Sequence, residues 1–215
     1  AVLGACDEIA ADAARIDVAS VAAACNFTLN RQGLLAGLVA EIPGLAGKPI
    51  EAVENACASG GQAVLAVARK LALGEGEVGI AIGYEKMRGD DGKVDGARVG
   101  DVLGYFSHPD ERAGKTYVFP HLFAEVMTEY MRAYEVTEED LARIAVAEYA
   151  HAQHNPDAQM RGVALTLEQA MTIAGPNRYI VPGLPLKTYD CSQITDGHAA
   201  LLLATEEGLS RPGVE

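Results

Sequence analysis

The chain has 215 residues, 49% of them hydrophobic and 22% charged, a balance that excludes a disordered tail and indicates a globular protein. A folded chain of this length buries roughly 70% of the surface that its unfolded form exposes, so a real core is available. The formal net charge of −13 argues against a broad surface for nucleic acid or anionic membrane, because such surfaces need clustered Lys and Arg.

The cysteine pattern excludes a disulfide scaffold. Four cysteines, at positions 6, 25, 57 and 191, are sparse and irregularly spaced, and no pair has the CxxC spacing of a structural zinc site. We therefore predict a reducing, cytoplasmic compartment and no metal. The sequence shows neither a signal-peptide pattern nor an apolar run of about 18 residues, so we expect neither secretion by that route nor a membrane span.

The first part of the chain alternates short apolar strands with amphipathic helices, which is the pattern of layered α/β structure. Helices are predicted at about 1–14, 31–42 and 57–73, and strands near 18–25, 50–55 and 77–84. The aromatic content changes at Tyr84: among the Phe and Tyr residues only Phe27 precedes it, and the others lie between 84 and 189. Residues 85–120 show no sustained period, and long irregular excursions in compact domains are usually functional.

The later part of the chain predicts further helices and one strand. A helix is expected over 121–134, and Thr137 with Asp140 three residues on has the spacing of a capping box that opens the next one. A short helix is predicted at Thr166. The apolar run 199–204 predicts a strand buried on both faces. Because the first helix has no strand before it, we expect that both ends lie inside a longer protein.

Cys57 is the candidate nucleophile, because it lies where a predicted strand gives way to a predicted helix. A thiol at the start of a helix experiences the positive end of the helix dipole and free backbone N–H groups, and both favour the thiolate. The small residues that follow it, Ala58-Ser59-Gly60-Gly61, allow a substrate to approach closely. The alternative is that Cys57 is a small buried hydrophobe at an ordinary turn, the usual fate of a free cysteine.

Three other signals are weaker. Residues 74–79 satisfy GxGxxG, but they follow a helix and precede a strand, the reverse of the dinucleotide-binding order. Cys191 lacks a following helix whose dipole could activate it. His198, at the start of the last apolar strand, is predicted to be a hydrogen-bonded core residue. We therefore predict no bound cofactor.

The run Glu54-Asn55-Ala56-Cys57-Ala58-Ser59-Gly60-Gly61, followed by Ile82-Gly83-Tyr84-Glu85-Lys86-Met87, resembles the nucleophile turn and next strand of the thiolase superfamily. His121-Leu122-Phe123-Ala124-Glu125 and the segment 190–197 are similar to its loop domain and return strand, and the sterol-carrier-type thiolases and acetyl-CoA acetyltransferases are the most similar branch. The resemblance implies a layered α/β/α fragment with an inserted loop domain. It places the first part of the N-terminal domain at 1–84, the CoA-binding loop domain at 85–190, and the return strand with the next helix at 191–215.

The same resemblance implies an acyl-CoA acyltransferase of the 3-ketoacyl-CoA thiolase type, with coenzyme A thioesters as substrates. Cys57 would hold the acyl group as a thioester, and its backbone N–H would be one oxyanion donor. His121 and Leu122 would line the pantetheine tunnel; the alternative for His121 is a half-buried helix residue. The second half of a thiolase subunit, which supplies the activating histidine, has no counterpart in this sequence.

Two alternatives stay open for the function. One is retro-aldol cleavage of a CoA ester in the sterol-carrier-type branch, which needs no cysteine nucleophile; the other is a non-catalytic acyl-CoA-binding or scaffold subunit. Cys57 with Asn55 and Ser59 beside it favours acyl transfer.

The helix after Cys57 is apolar nearly all round, so the resemblance implies that it is covered by the other half and that the strand at 77–84 pairs across a two-fold axis. We expect a homodimer or tetramer, with the missing half in cis or in trans and with no nucleic-acid or membrane partner.

Overall fold

The structure, a computed structural model, describes residues 5–6 and 12–211. They form two compact units: the described residues up to Val94 with those from Thr195 onward, and Asp95–Ile194. The helix predicted at about 1–14 lies largely outside the described residues, and its described end is a 3-10 turn at Ala13–Arg15. The domain boundaries predicted at 84 and 190 remain predictions.

A four-stranded sheet forms the centre of the first unit. Its strands are β1 (Val18–Ala22), β2 (Ile50–Val53), β3 (Val78–Glu85) and β4 (Gly197–Ala204), in the order β2-β1-β3-β4. β1 pairs in parallel with β2 and β3, whereas β4 pairs antiparallel with β3. Every residue of β1 is buried, as a central strand covered on both faces requires.

The helices, in chain order, are α1 (Asn26–Asn30), α2 (Leu35–Ala40), α3 (Ser59–Ala72), α4 (Gly96–Gly104), α5 (Pro109–Arg112), α6 (Val118–Tyr134), α7 (Glu138–Ala152), α8 (Leu167–Met171) and α9 (Glu206–Leu209), of which α4 to α8 belong to the second unit. Within the described residues, no helix combines the length and the apolar character needed to cross a bilayer.

Helices cover both faces of the sheet, which confirms the predicted α/β/α layering. On one face, α3 packs through Ala63, Val67 and Leu71 against residues of β1 and β3. On the other face, Leu35 and Val39 of α2 join a second apolar cluster that includes the opposite side of the same two strands. The period of about 3.6 residues between the buried positions of α3 therefore sets which side of that helix faces the sheet.

Gly79 lets α3 lie close to β3. A Cβ atom at this position would be 2.4 Å from Cγ1 of Val67, a distance that no side chain could tolerate. Val67 itself is fully buried. The glycine therefore sets the height of α3 above the sheet, and with it the position of the turn that precedes α3.

The helix predicted at 31–42 is shorter and is α2, Leu35–Ala40; a separate helix that was not predicted, α1, precedes it at Asn26–Asn30. Arg31 and Leu34, between them, have φ angles of 56° and 52°, in the left-handed region that interrupts a right-handed helix.

The strand predicted at 77–84 is β3, and both its edges are occupied, by β1 and β4. The prediction that this strand pairs across a two-fold axis is therefore wrong, because no free edge remains on it.

The last apolar run forms β4, but the strand is not buried on both faces. Leu201 is 52% exposed and His198 is also exposed. Among the described strands β4 pairs only with β3 and lies at one end of the sheet, so fewer neighbours cover it. His198 is consequently not a core histidine, and that prediction is wrong.

Asp17 joins the start of the sheet to the C-terminal segment. Its Oδ2 accepts hydrogen bonds from the backbone N–H of Glu77 at 2.7 Å and of Val78 at 3.0 Å, and from Arg211 Nη1 at 2.7 Å. Burial by itself would raise the pKa of this carboxyl, but the hydrogen bonds and the guanidinium outweigh it and lower the pKa. A group with a lowered pKa stabilises the fold above its unfolded pKa of about 4, and this contribution is lost as the pH falls.

We expect Asp17→Asn to lower the free energy of unfolding at pH 7 by about 1–2 kcal/mol, because it removes charge-assisted hydrogen bonds. The variant should also lose less stability than the wild type between pH 6 and pH 3, because Asn does not titrate. Urea denaturation across this pH range measures both effects. Asp91→Asn, at a carboxylate whose side chain is 62% exposed, is the matched control and should match the wild type. Parallel pH profiles of Asp17→Asn and the wild type would contradict the prediction.

The second unit contains a helix that the sequence did not predict. Residues 85–120 were expected to be irregular, yet α4 begins after Asp95, whose Oδ1 accepts the Arg98 N–H at 3.0 Å. Cβ atoms at Gly100 and Gly104 would lie 2.9 Å and 2.8 Å from side-chain atoms of Tyr117 and Val118. The glycines therefore allow close packing of α4 on the start of α6.

Three predicted helices of this unit are confirmed. The helix expected at 121–134 is α6, which begins three residues earlier, at Val118. Thr137 and Asp140 form the expected capping box at the start of α7. Thr166 caps α8, with Gln169 as its reciprocal partner. Capping residues mark the starts of α7 and α8, whereas α6 has no side-chain cap.

A buried charge cluster stabilises the end of the second unit. Lys187 has no exposed side-chain surface, and its Nζ lies 3.2 Å from Asp190 Oδ2 and 3.7 Å from Glu138 Oε2. The Tyr179 hydroxyl donates to Glu138 Oε2 at 3.0 Å. These four residues connect the 3-10 turn Thr188–Asp190 to the first residue of α7.

Candidate active site

Cys57 lies on a turn between β2 and α3. β2 ends at Val53, and a 3-10 turn at Ala56–Ala58 leads directly into α3 at Ser59. The Cys57 side chain is exposed. The transition from strand to helix is where the sequence predicted it, and the alternative of a small buried cysteine is wrong. The thiol is accessible and lies beside the N-terminus of a 14-residue helix.

The turn carries an unusual backbone angle immediately before the thiol. Ala56 has a φ of 47°, in the left-handed region, which costs an L-residue about 1–2 kcal/mol. The Ala56 N–H donates to the Glu54 carboxylate. The turn leaves the Cys57 side chain exposed.

Ser59 closes this turn with its side chain. Its Oγ accepts the Asn55 N–H at 2.9 Å and donates to the Ala56 carbonyl oxygen at 2.6 Å. Ser59 is only 6% exposed, so the hydroxyl is shielded from water. Hydrogen bonds in such an environment are costly to break, and they hold the backbone of the turn in one conformation.

The carboxyl ends of the three parallel strands meet at this edge of the sheet. Cys25 follows β1, Cys57 follows β2, and Glu85 is the last residue of β3. The Glu85 carboxylate accepts the N–H of Ala24, and that of Cys25 at 3.2 Å, so it caps the start of α1 from another strand. The sequence predicted no role for Glu85, since nothing in its spacing points to this contact.

The environment distinguishes the two thiols at this edge. Cys25 is fully buried, and burial, followed by the negative charges of Glu85, Cys57 and Glu54, raises its pKa to about 11. Cys25 therefore stays protonated near neutral pH.

The other cysteines are less suited to react. Cys6 is buried and Cys191 is half-buried, and burial followed by the charge of Asp190 raises the pKa of Cys191. All four cysteines are among the described residues, and only Cys57 is exposed. In the part of the chain that the structure describes, no base forms a hydrogen bond with the Cys57 sulfur, nor do three or more His, Cys, Asp or Glu side chains form a metal-binding group.

His121 and Leu122 lie in the second unit, in the first turns of α6. His121 Nε2 is 3.3 Å from Glu125 Oε1, and the same carboxylate oxygen is 3.2 Å from Lys115 Nζ. His121 Nδ1 is buried and has no hydrogen-bond partner, and Leu122 is half-buried. The i to i+4 spacing of His121 and Glu125 is the signal in the sequence that indicates this contact.

The family model for "Thiolase, N-terminal domain" matches residues 7–165, which is most of the chain. The chain belongs to the thiolase family. The chain is 32% identical to the acetyl-CoA acetyltransferase of Methanothermobacter thermautotrophicus over 201 residues, which cover 94% of this chain and 49% of that protein. It is 30% identical to sterol carrier protein 2 of Oryctolagus cuniculus over 183 residues, 80% of this chain and 31% of that protein.

A solved structure of the Ltp2-ChsH2(DUF35) aldolase is also similar to this thiolase-family chain. It superposes with a TM-score of 0.63 at 26% sequence identity, and the match covers 97% of this chain and 50% of that chain. The chain thus spans about half the length, or less, of the relatives that it matches. These similarities show the predicted family and the thiolase-like fold.

Proposed function

We propose that this chain carries the nucleophile of an acyl-CoA acyltransferase of the 3-ketoacyl-CoA thiolase type. The observation that carries the proposal is that Cys57, alone among the four cysteines, is exposed, on a sharp turn at the start of α3. The similarity to an acetyl-CoA acetyltransferase over 94% of the chain supports it.

In the proposed reaction, Cys57 Sγ attacks the carbonyl carbon of an acyl-CoA. The carbon–sulfur bond to coenzyme A breaks, coenzyme A leaves as its thiol, and the acyl group stays on Cys57 as a thioester. The enolate of a second acyl-CoA then attacks this thioester, which releases 3-ketoacyl-CoA and the Cys57 thiol. Degradation is the reverse sequence. Coenzyme A enters only as part of the substrate, and no resident cofactor is proposed.

The surroundings of Cys57 suit this chemistry. Added Cβ atoms at Gly60 and Gly61 would meet nothing within 4 Å, so the start of α3 is open to an acyl group. The free N–H groups at the helix start can stabilise the developing oxyanion. The base that removes the thiol proton is proposed to come from a second thiolase half, in cis or in trans, because no described residue supplies it.

We further propose that His121 and Leu122 contact the pantetheine arm of the substrate. The buried Nδ1 of His121 has no hydrogen-bond partner among the described residues, and an unsatisfied buried nitrogen favours a partner supplied from outside the chain. The pairing of Glu125 with both His121 and Lys115 holds the ring in place. These residues are proposed as binding residues in the loop domain of a cytoplasmic homodimer or tetramer.

Trapping of the acyl-enzyme tests the proposed function. The full polypeptide, with any partner that co-purifies, is mixed with acetyl-CoA, quenched in acid, digested and examined by mass spectrometry. We expect an acetyl group on the peptide that contains Cys57, labile to hydroxylamine as a thioester is. A protein that binds the CoA ester but never becomes acylated would contradict the proposal and indicate a scaffold subunit.

Retro-aldol cleavage of a CoA ester is the second candidate. It is favoured by the similarity to an aldolase over 97% of the chain and by the lack of a base bonded to Cys57 among the described residues. A Cys57→Ala variant separates the two reactions. It should still cleave a β-hydroxyacyl-CoA if the protein is an aldolase, but it should not form or cleave a 3-ketoacyl-CoA if Cys57 is the acyl carrier.

A further inference from the structure

We propose that Ser59 is a positioning residue, whose hydroxyl orients the backbone N–H of Cys57 toward the carbonyl oxygen of a bound thioester. The proposal rests on the proposed acyl transfer. It names the side chain that holds the turn in the conformation needed for that reaction. Ser59 does not itself contact the reacting atoms; it acts through the peptide bond between Ala56 and Cys57.

The carbonyl oxygen of Ala56 is held from two directions. It accepts the Ser59 Oγ–H at 2.6 Å and also the Ser59 backbone N–H. The hydroxyl in turn accepts the Asn55 N–H at 2.9 Å, so its donor and an acceptor site are both used. Ser59 is only 6% exposed, so water has little access to these bonds.

The orientation of the Ala56 carbonyl determines that of the Cys57 N–H. In a trans peptide the C=O and the N–H of one peptide unit point in opposite directions. Because the Ala56 oxygen points toward Ser59, the Cys57 N–H points away from the start of α3. Within the described residues no acceptor is bonded to this N–H, so it is free to donate to a substrate.

The left-handed conformation of Ala56 makes the hydroxyl necessary. At a φ of 47° the residue is strained, and the hydrogen bonds of Ser59 offset that strain. Without the hydroxyl, Ala56 gains by returning to negative φ, which rotates the peptide and turns the Cys57 N–H out of line. The thiol would remain exposed, so its intrinsic reactivity should change little.

Ser59→Ala and Ser59→Thr test this role through two reactions of the same thiol. Acylation by acetyl-CoA needs an oxyanion donor, whereas alkylation by iodoacetamide does not. In the full protein we expect Ser59→Ala to slow acylation of Cys57 by about tenfold or more, since complete loss of an oxyanion donor costs about 10²- to 10³-fold. Alkylation should stay within about twofold of the wild type, and Ser59→Thr, which keeps the hydroxyl, should restore acylation.

Equal losses in the two reactions would show that Ser59 acts on the thiol or on the fold, and would overturn the proposal; so would unchanged acylation in Ser59→Ala. If Ser59→Ala does not fold, the double variant Ala56→Gly/Ser59→Ala removes the left-handed strain and should fold, with acylation reduced and alkylation kept. Equal reductions in the acylation and the alkylation of Cys57 in this double variant would likewise overturn the proposal. A wild type that is alkylated at Cys57 but never acylated refutes the proposed function itself, an outcome distinct from a failure confined to Ser59.

Discussion

Replacement of Cys57 by Ala is expected to lower kcat for acyl transfer by about 10³-fold or more, because loss of a covalent nucleophile removes the acyl-enzyme. The environment supports this assignment. Cys57 is exposed, while Cys25 has a pKa of about 11, so that only about one thiol in 10⁴ of Cys25 is ionised at pH 7. The steady-state rate of 3-ketoacyl-CoA formation or cleavage measures the loss.

The matched control for this variant is Cys191→Ala. Cys191 is half-buried in the second unit and its pKa is raised, so its removal should leave acyl transfer close to the wild-type rate. A limiting amount of iodoacetamide should modify Cys57 first and abolish activity in parallel. Equal labelling of Cys6, Cys25 or Cys191, with activity kept, would refute the role of Cys57.

Replacement of Lys187 by Met is expected to lower the free energy of unfolding by about 3–5 kcal/mol, because it leaves the buried Asp190 carboxylate without a cation. The Asp190 side chain is 6% exposed, and its Oδ1 has no hydrogen-bond partner. Glu138 also loses its ammonium neighbour at 3.7 Å. Although Met fills a similar volume, it cannot neutralise these charges.

Urea unfolding of the full protein measures the total loss, and hydrogen exchange locates it. Exchange should accelerate in 138–152 and 178–190, which the cluster joins. Lys93→Met is the matched control, since that side chain is 85% exposed and pairs with Asp91 at 3.8 Å; it should leave stability unchanged. The double variant Lys187→Met/Asp190→Asn should recover part of the loss, because it removes one of the unpaired charges. A loss below about 1 kcal/mol in Lys187→Met would show that the cluster is not a stabilising element.

Several features of this protein follow from the sequence because their causes are local. The alternation of apolar residues predicted the central strands, and β1 and β3 lie where it placed them. The Thr137 and Thr166 caps depend on residues three positions away, so spacing alone reveals them. The turn that carries Cys57 was also predictable, because a strand pattern ends there and a helix pattern begins.

The contacts at the sheet edge that carries Cys57 were not predictable in this way. Glu85 is 60 residues from Cys25 in the sequence, and only the parallel pairing of β1 with β3 brings the two together. The same holds for the hydroxyl of Ser59, whose part in the turn depends on a left-handed Ala56 that no propensity predicts. Strand order likewise decided which strands have free edges, and it placed β3 in the interior.

Tertiary packing also overrode local preference in the second unit. Gly96, Gly100 and Gly104 weaken a helix, so residues 96–104 gave no helical signal, yet the missing side chains of Gly100 and Gly104 are what let Tyr117 and Val118 pack against α4. Lysine is ordinarily a surface residue, and Lys187 is buried only because Asp190 and Glu138 neutralise it.

The sequence by itself determined the layered α/β pattern, the helix caps and the position of Cys57, since these depend on residues close in the chain. The tertiary structure decided the strand edges, the glycine helix and the buried charges, because each depends on contacts between distant residues that outweigh what each residue prefers alone.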